Sequence, residues 1–126
     1  MLVLDSGGLS RLAERSGAAA ALIRAFRAEG LWPPLIPTAS LAESLTGHSG
    51  KDANTNRFLK TCNVVERLSE RTARRAAHLR TKARRGSAVD AIIVAMAEPG
   101  GTVLTSDASD LGAIASRADD VAVVTI

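Results

Sequence analysis

The chain has 126 residues, 46% of them hydrophobic and only 2% aromatic, and a formal net charge of +3. This length predicts one folded domain, residues 1–126, that buries roughly two-thirds of its unfolded-chain surface. The scarcity of aromatic side chains argues against a nucleic-acid site built on base stacking. A single cysteine excludes an internal disulfide and a thiolate metal site. Because no apolar run reaches the roughly 18 residues of a membrane span and no signal peptide is evident, we expect a soluble, cytoplasmic protein.

Short apolar runs alternate with stretches of helical spacing along the chain. The predicted strands are, in order, MLVL, PPLIPT, CNVV, TVLTSD and VAVVTI. The first predicted helix, GLSRLAERSGAAAALIRAFRAEG, is broken near Gly17 and ends at Gly30. A second helix contains LAESLTG and is capped by Thr38 or Ser40, and a third covers residues 52–61.

The second half of the chain continues the alternation. SERTARRAAHLRTKARRG predicts a helix with a narrow alanine and leucine stripe, and SAVDAIIVAMA predicts a helix capped by Ser87 that stops at Pro99. ASDLGAIASR is a further short helix. Since none of the connections is a tight hairpin, the pattern predicts an α/β fold with a mostly parallel five-stranded sheet and helices on both faces.

Four acidic residues are expected to meet at one edge of this sheet. Ligands of open parallel sheets bind beyond the carboxyl ends of the strands. Asp5 ends the first strand, and Asp107, with Asp110 three residues later, ends the fourth. Glu43 lies on the helix that follows the second strand. Asp90 lies in the first turn of the helix that leads to the fourth strand, so it is expected at the same edge.

Each of these acids also has an ordinary structural explanation. Asp5 and Asp107 could form caps or turns, Asp90 could close a capping box with Ser87, and Glu43 could be an exposed helix residue. Considered together they favour a cation site, because neighbouring carboxylates repel one another unless a cation holds them.

The ligand type indicates which cation such a site prefers. An all-oxygen site selects a hard cation, Mg²⁺ or Mn²⁺, and suits phosphodiester hydrolysis. The hydroxyl groups of Ser6, Thr105 and Ser106 could orient the acids.

Four segments carry a resemblance to a known family. With VLDSGGLS, SLAESLTG, SAVDAIIVAMAE and VLTSDASDL in this order, the chain resembles a PIN domain. More narrowly, it resembles the VapC-type toxins of bacterial toxin–antitoxin pairs. The resemblance implies a three-layer α/β/α sandwich and a Mg²⁺- or Mn²⁺-dependent ribonuclease acting on single-stranded RNA. It also implies a homodimer, silenced by a small antitoxin whose C-terminal tail covers the site.

The resemblance implies an acidic set of metal ligands and catalytic residues, Asp5, Glu43, Asp90 and Asp107, with Asp110 as an auxiliary. One departure concerns the first segment. Gly7 and Gly8 stand where a bulkier or hydroxyl-bearing residue is expected, so a looser local turn is predicted there. Two other functions remain open from the residues, a non-catalytic interaction module with this fold and a DNA-directed nuclease.

A basic segment could attract a polyanion. Residues 67–85 contain eight basic side chains against one acid, Glu70. The same charges could equally form a solvated helix face or a partner-facing surface. Contact with RNA is a hypothesis for five of them, Arg71, Arg74, Arg75, Arg84 and Arg85.

Overall fold

The five predicted strands form one parallel sheet. In the computed structural model, which describes residues 1–126, they are β1 (Leu2–Leu4), β2 (Leu35–Pro37), β3 (Asn63–Val65), β4 (Thr102–Thr105) and β5 (Ala122–Thr125). Their order across the sheet is β3-β2-β1-β4-β5, and every neighbouring pair is parallel. The prediction of a mostly parallel sheet is confirmed, and the sheet contains no antiparallel strand.

Seven helices connect the strands. They are α1 (Ser6–Ala13), α2 (Gly17–Ala28), α3 (Thr38–Ser44), α4 (Ala53–Leu59), α5 (Glu70–Ala83), α6 (Ala88–Ala97) and α7 (Ser109–Ala115). The predicted break near Gly17 is confirmed, because α1 ends at Ala13 and the hydroxyl of Ser16 caps α2. None of the helices combines the length and apolar character that a membrane crossing needs.

The helices cover both faces of the sheet, as the strand alternation requires. Leu2 and Leu4 of β1 pack with residues of α1, α2 and α4, whereas Val3 packs with residues of α5, α6 and α7. These three side chains are 0–1% exposed, and burying each contributes about 1.5–3 kcal/mol. The predicted three-layer α/β/α sandwich is confirmed.

The predicted side-chain cap of α3 is wrong. The residue before the helix is Pro37, which makes no capping hydrogen bond, and Thr38 is already the first helical residue. Ser40 lies fully buried inside the helix, and its hydroxyl has no hydrogen-bond partner. Because Pro37 is also the last residue of β2, the strand runs directly into the helix and leaves no position for a side-chain cap.

The strongest ion pair lies at the amino edge of the sheet. Glu98, which ends α6, accepts two hydrogen bonds of 2.7 Å from the guanidinium of Arg75 on α5. The same carboxylate accepts a third bond of 2.7 Å from the backbone N–H of Asp119. The hydrogen bonds from Arg75 lower the pKa of Glu98, and the bond from Asp119 lowers it further, despite the opposing effect of burial. This pair therefore joins α5, α6 and the segment that leads to β5.

Glu98→Gln is expected to destabilise the protein by about 1–3 kcal/mol at neutral pH, because it removes a charge-assisted bidentate pair. A carboxyl group whose pKa is lowered by folding stabilises the folded state above its unfolded pKa and loses that contribution as the pH falls. The difference between wild type and variant should therefore shrink below the ordinary glutamate pKa of 4.5. Urea unfolding across this pH range measures it, with the exposed Glu66→Gln as control. If the stability difference between wild type and Glu98→Gln were the same at acid pH, the ionised Glu98 carboxylate would not be its cause.

Candidate active site

The candidate site lies at the carboxyl edge of the sheet, between β1 and β4. These strands are neighbours, yet the chain leaves β1 towards β2 on one side and leaves β4 towards β5 on the other. Such a reversal of direction opens a crevice, which is the usual ligand site of open α/β sheets. Asp5 follows β1 directly, and Thr105 ends β4 with Asp107 two residues later.

Asp5 is held in a fixed position at this crevice. It is half-buried and caps α1, with one carboxylate oxygen accepting a 2.6 Å hydrogen bond from the N–H of Gly8. The other oxygen accepts a hydrogen bond from the hydroxyl of Thr105. Burial raises the pKa of Asp5, and the negative charge of Asp90 raises it further, which outweighs the lowering effect of these hydrogen bonds. Asp5 and Asp90 therefore interact across the crevice.

Thr105 connects the two strands that flank the crevice. Its side chain is almost completely buried, at 1% exposure. The hydroxyl donates to Asp5 and accepts a 3.1 Å hydrogen bond from the backbone N–H of Asp107. One hydroxyl group thus links the end of β1 with the loop after β4 and orients Asp5.

One oxygen of the Asp90 carboxylate takes part in a helix cap and lies close to Gly86. The predicted capping box is present: Ser87 N–H donates to Asp90 Oδ2 at 3.0 Å, and Asp90 N–H donates to the Ser87 hydroxyl at 3.1 Å. The same oxygen lies next to Gly86, where an added Cβ would be 3.3 Å from Asp90 Oδ2 and 3.5 Å from Asp110 Cβ. Asp90 and Asp110 are therefore near neighbours.

The remaining predicted acids lie further out. Asp107 is exposed and accepts a 3.0 Å hydrogen bond from Ser109 N–H; this bond, and more weakly the charge of Arg85, lowers its pKa. Glu43 is also exposed and takes part in no salt bridge. It lines a polar cleft that includes Ser6, which follows Asp5, and Ser106, which follows β4. The full lining is Ser6, Gly7, Ser10, Arg11, Glu14, Glu43, Ser44 and Ser106.

The structure does not gather the four predicted acids into one cluster. No group of three or more His, Cys, Asp or Glu side chains is close enough to hold a metal ion. Asp5 and Asp90 are close enough for the charge of Asp90 to raise the pKa of Asp5, and Asp110 lies beside Asp90. Like charges repel, and Asp5, Asp90 and Asp107 each bond a backbone N–H of their own turn. These local bonds hold the carboxylates apart.

The predicted loose turn at Gly7 and Gly8 is not found. The turn is tight, because α1 lies so close to β4 that a Cβ at Gly8 would be 2.2 Å from the carbonyl oxygen of Leu104. At Gly7 the space of a side chain is already filled, since a Cβ there would be 2.2 Å from the Ser106 hydroxyl oxygen. This close approach brings the N–H of Gly8 within reach of Asp5.

The five arginines that were expected to contact RNA lie in different parts of the structure. Arg75 is bonded to Glu98 at the opposite edge of the sheet. Arg74 pairs with Glu70 one helical turn away, at 2.8 Å, and Arg71 shares that first turn of α5. The last two lie at the acidic edge: Arg85 contacts Asp110 at 3.2 Å, and Arg84 ends α5. Of the five, only Arg84 and Arg85 therefore lie beside the acidic edge, and Arg71, Arg74 and Arg75 lie nearer the other end of α5.

Two residues near the site were not identified by the sequence patterns. Arg80 and Thr81 line a cleft with Arg84 and Arg85, immediately beside the acidic edge. The spacing of Arg80 and Arg84, four residues apart on a helix, is the signal that could have grouped them.

A third missed residue fixes the loop after α3. Asp52 is only 6% exposed and accepts hydrogen bonds from the N–H groups of Thr46 and Gly47 and from the hydroxyl of Thr46. The bond from the Thr46 N–H is the main reason why the pKa of Asp52 is lowered. This loop follows directly on the helix that carries Glu43, so Asp52 anchors that side of the cleft.

The cysteine and histidines offer no alternative chemistry. Burial raises the pKa of Cys62 to about 11, so its thiol stays protonated at neutral pH and is a poor nucleophile or ligand. His48 and His78 are both exposed and lie on separate elements.

Comparison with solved structures finds the same architecture in several proteins. The chain is similar to a toxin–antitoxin complex from Klebsiella pneumoniae, with 24% identity, a TM-score of 0.69, and coverage of 99% of this chain and 97% of the other. VapBC2 from Rickettsia felis bound to a DNA fragment from its promoter gives 13% identity, a TM-score of 0.72, and coverage of 99% and 98%. FitAcB from Neisseria gonorrhoeae gives 17% identity, a TM-score of 0.62, and coverage of 99% and 97%.

The chain has a PIN-like fold. No family model matches it, and no curated protein matches it significantly by sequence. The PIN-like fold predicted from four short segments is therefore confirmed by structure rather than by overall sequence similarity. It extends over nearly the whole chain, since the three matches each cover 99% of it.

Proposed function

We propose that this protein is a cytoplasmic, metal-dependent endoribonuclease that cleaves single-stranded regions of RNA and is the toxin of a toxin–antitoxin pair. Residues 1–126 act as one domain in this proposal. The PIN-like fold and its similarity to proteins of toxin–antitoxin complexes support the general assignment. The arrangement of acids at the carboxyl edge supports the chemistry.

The observation that carries the proposal is the pair Asp5 and Asp90, which begin α1 and α6 at the same edge of the sheet. Both carboxylates are half-buried, their charges interact, and neither takes part in a salt bridge. Elsewhere on the protein, Glu98 and Asp110 are each paired with an arginine. Two unpaired, partly desolvated carboxylates at a crevice are unfavourable without a cation, so the pair is better explained by ligand binding than by folding.

The donor set of this pair fits Mg²⁺ or Mn²⁺. Magnesium is commonly bound by one or two carboxylates, with water and substrate phosphates completing its coordination, so a preformed group of three carboxylates is not required. In this proposal Asp5 and Asp90 would hold the ion, and Asp107, Asp110 and Glu43 would act around the substrate. A divalent cation supplies charge neutralisation at the scissile phosphate and activation of water.

The chain's own residues have distinct tasks in this proposal. Thr105 and Gly8 fix the orientation of Asp5, and Ser87 does the same for Asp90. Burial raises the pKa of Asp5, so holding its negative charge at the crevice is unfavourable until a cation is bound. Glu43, Ser6 and Ser106 line the polar cleft where one end of the strand could lie.

The partners follow from the same resemblance. We propose a small antitoxin whose tail covers the crevice, and a homodimer as the assembled form. The similar structure from Klebsiella pneumoniae is a toxin–antitoxin complex, which supports the first of these partners.

The proposal is tested by incubating the purified protein with an RNA pool, a single-stranded DNA pool of matched sequence and an RNA duplex. Each substrate is incubated with Mg²⁺, with Mn²⁺ and with a chelator. We expect cleavage of single-stranded RNA with either metal, none with the chelator, and little cleavage of the duplex. Preferential cleavage of DNA would establish the DNA-directed alternative. An absence of cleavage with both metals would favour the non-catalytic interaction module.

A further inference from the structure

A second cleft borders the acidic edge, and its chemistry is opposite. It is lined by Ala77, Arg80, Thr81, Arg84, Arg85 and Gly86, so that three of six lining residues are arginines and only one is apolar. Helical spacing explains how it forms, since the first four of these residues lie on one face of α5 and its end. We call this group of six residues the arginine cleft.

The positive charges of the arginine cleft are poorly balanced. Arg80 and Arg84 take part in no salt bridge, and Arg85 has the single partner Asp110 at 3.2 Å. By contrast, Arg74 on the same helix is paired with Glu70. Neighbouring guanidinium groups repel one another, so an anion in the cleft would relieve this repulsion.

The backbone of Arg84 gives a second, independent indication. Arg84 adopts the left-handed conformation, with φ 55 and ψ 27, where it ends α5. Glycine is the residue that fits this position with least strain. An arginine at a position that favours glycine weakens the helix end, so its side chain is better explained by a role outside folding.

The arginine cleft adjoins the acidic pair. Gly86 belongs to its lining, and a Cβ at Gly86 would lie 3.3 Å from Asp90 Oδ2. We propose that the arginine cleft binds the backbone phosphates of single-stranded RNA next to the bond that is cut, an inference that rests on the proposed function. Guanidinium groups match phosphate in charge and geometry, and the cleft contains no aromatic ring for stacking. Recognition there is therefore independent of base sequence.

Arg84→Gly is the decisive variant, because a structural role and a binding role predict opposite results. The wild type, Arg84→Gly, Arg80→Ala and the control Arg74→Ala are titrated into a short, end-labelled, mixed-sequence RNA strand in a chelator, and anisotropy gives Kd. We expect Arg84→Gly and Arg80→Ala each to weaken binding by about tenfold and to lower the salt slope by about 0.7 for each phosphate that is no longer neutralised. Arg74→Ala should change Kd less than about twofold. The melting temperature of Arg84→Gly should equal or exceed that of the wild type.

The outcomes separate this inference from the proposed function. The wild type could bind RNA with this dependence on arginine but cleave nothing in the presence of metal. The proposed nuclease function would then be wrong, and the inference that the arginine cleft binds RNA would be supported. If the wild type cleaves RNA while Arg84→Gly and Arg80→Ala bind RNA like the wild type, the assignment of the arginine cleft to RNA binding is wrong. An equal loss in Arg74→Ala would mean that only overall charge matters, and failure of the wild type to bind RNA would also overturn the inference. A polyglutamate peptide that binds in place of RNA would assign the cleft to a protein ligand.

Discussion

Asp5→Asn is expected to abolish metal-dependent RNA cleavage, with a loss on the order of a hundredfold or more. Asparagine has nearly the same shape, and its amide oxygen can still accept from the N–H of Gly8. Its amide nitrogen takes the place of the oxygen that accepts from Thr105, so the Thr105 hydroxyl has to accept at that contact instead of donating, and the local structure should persist. The variant removes one of the two neighbouring charges, and with it the repulsion from Asp90. Its melting temperature at neutral pH should therefore equal or exceed that of the wild type. Single-turnover cleavage and thermal unfolding measure the two effects.

Asp90→Asn should reproduce this result, since it removes the other member of the pair. The control is Asp120→Asn, at an exposed carboxylate in the segment that leads to β5. That control should cleave RNA like the wild type. Normal cleavage by Asp5→Asn and Asp90→Asn would place the chemistry elsewhere, even if the wild type is a ribonuclease.

Gly8→Ala is expected to destabilise the fold and to disturb the site at the same time. Its Cβ would lie 2.2 Å from the carbonyl oxygen of Leu104, a backbone atom that cannot move aside without shifting β4. Overpacking of this kind typically costs about 1–3 kcal/mol, and an approach to backbone belongs at the upper end. The shift would also displace Thr105 and the N–H that bonds Asp5. Denaturant unfolding measures the stability, and metal-dependent cleavage measures the effect on the site.

Gly112→Ala is the matched control, because Gly112 also lies within a short helix but has no heavy atom within 4 Å of the added Cβ. There the substitution should stabilise the protein by about 0.5–1 kcal/mol, since alanine is the better helix former. Equal effects of the two substitutions would mean that α1 can move away from β4 at little cost.

Local patterns predicted the elements and several of their ends. Apolar runs bounded by turn residues located all five strands, and Ser87 followed three residues later by Asp90 predicted the capping box that is present. These features depend on residues close in sequence, so their physical causes are visible there. The carboxyl-edge argument also placed Asp5 and Asp90 together, because parallel strands and the helix between them fix direction.

Features that depend on distant contacts were not predictable in the same way. Arginines on one helix look equivalent in sequence, but packing pairs Arg75 with Glu98 and leaves Arg80 and Arg84 without partners. In the sequence, Gly8 predicted a loose turn after β1. In the structure the turn is tight, because the backbone of β4 lies directly against Gly8. The separation of the carboxylates is likewise set by hydrogen bonds and by side-chain direction, which periodicity does not specify.

The Glu98–Arg75 pair has a consequence for how substitutions affect this protein in a cell. It lies at the amino edge of the sheet, whereas the unpaired acids lie at the carboxyl edge, and strands of three or four residues separate them by about 10–13 Å. Changes at the amino edge would lower the number of folded molecules and leave turnover per molecule intact. Removing a carboxylate at the carboxyl edge would do the reverse, whereas Gly8→Ala, which crowds β4, would lower both. Abundance and catalytic rate can therefore vary independently in this small domain.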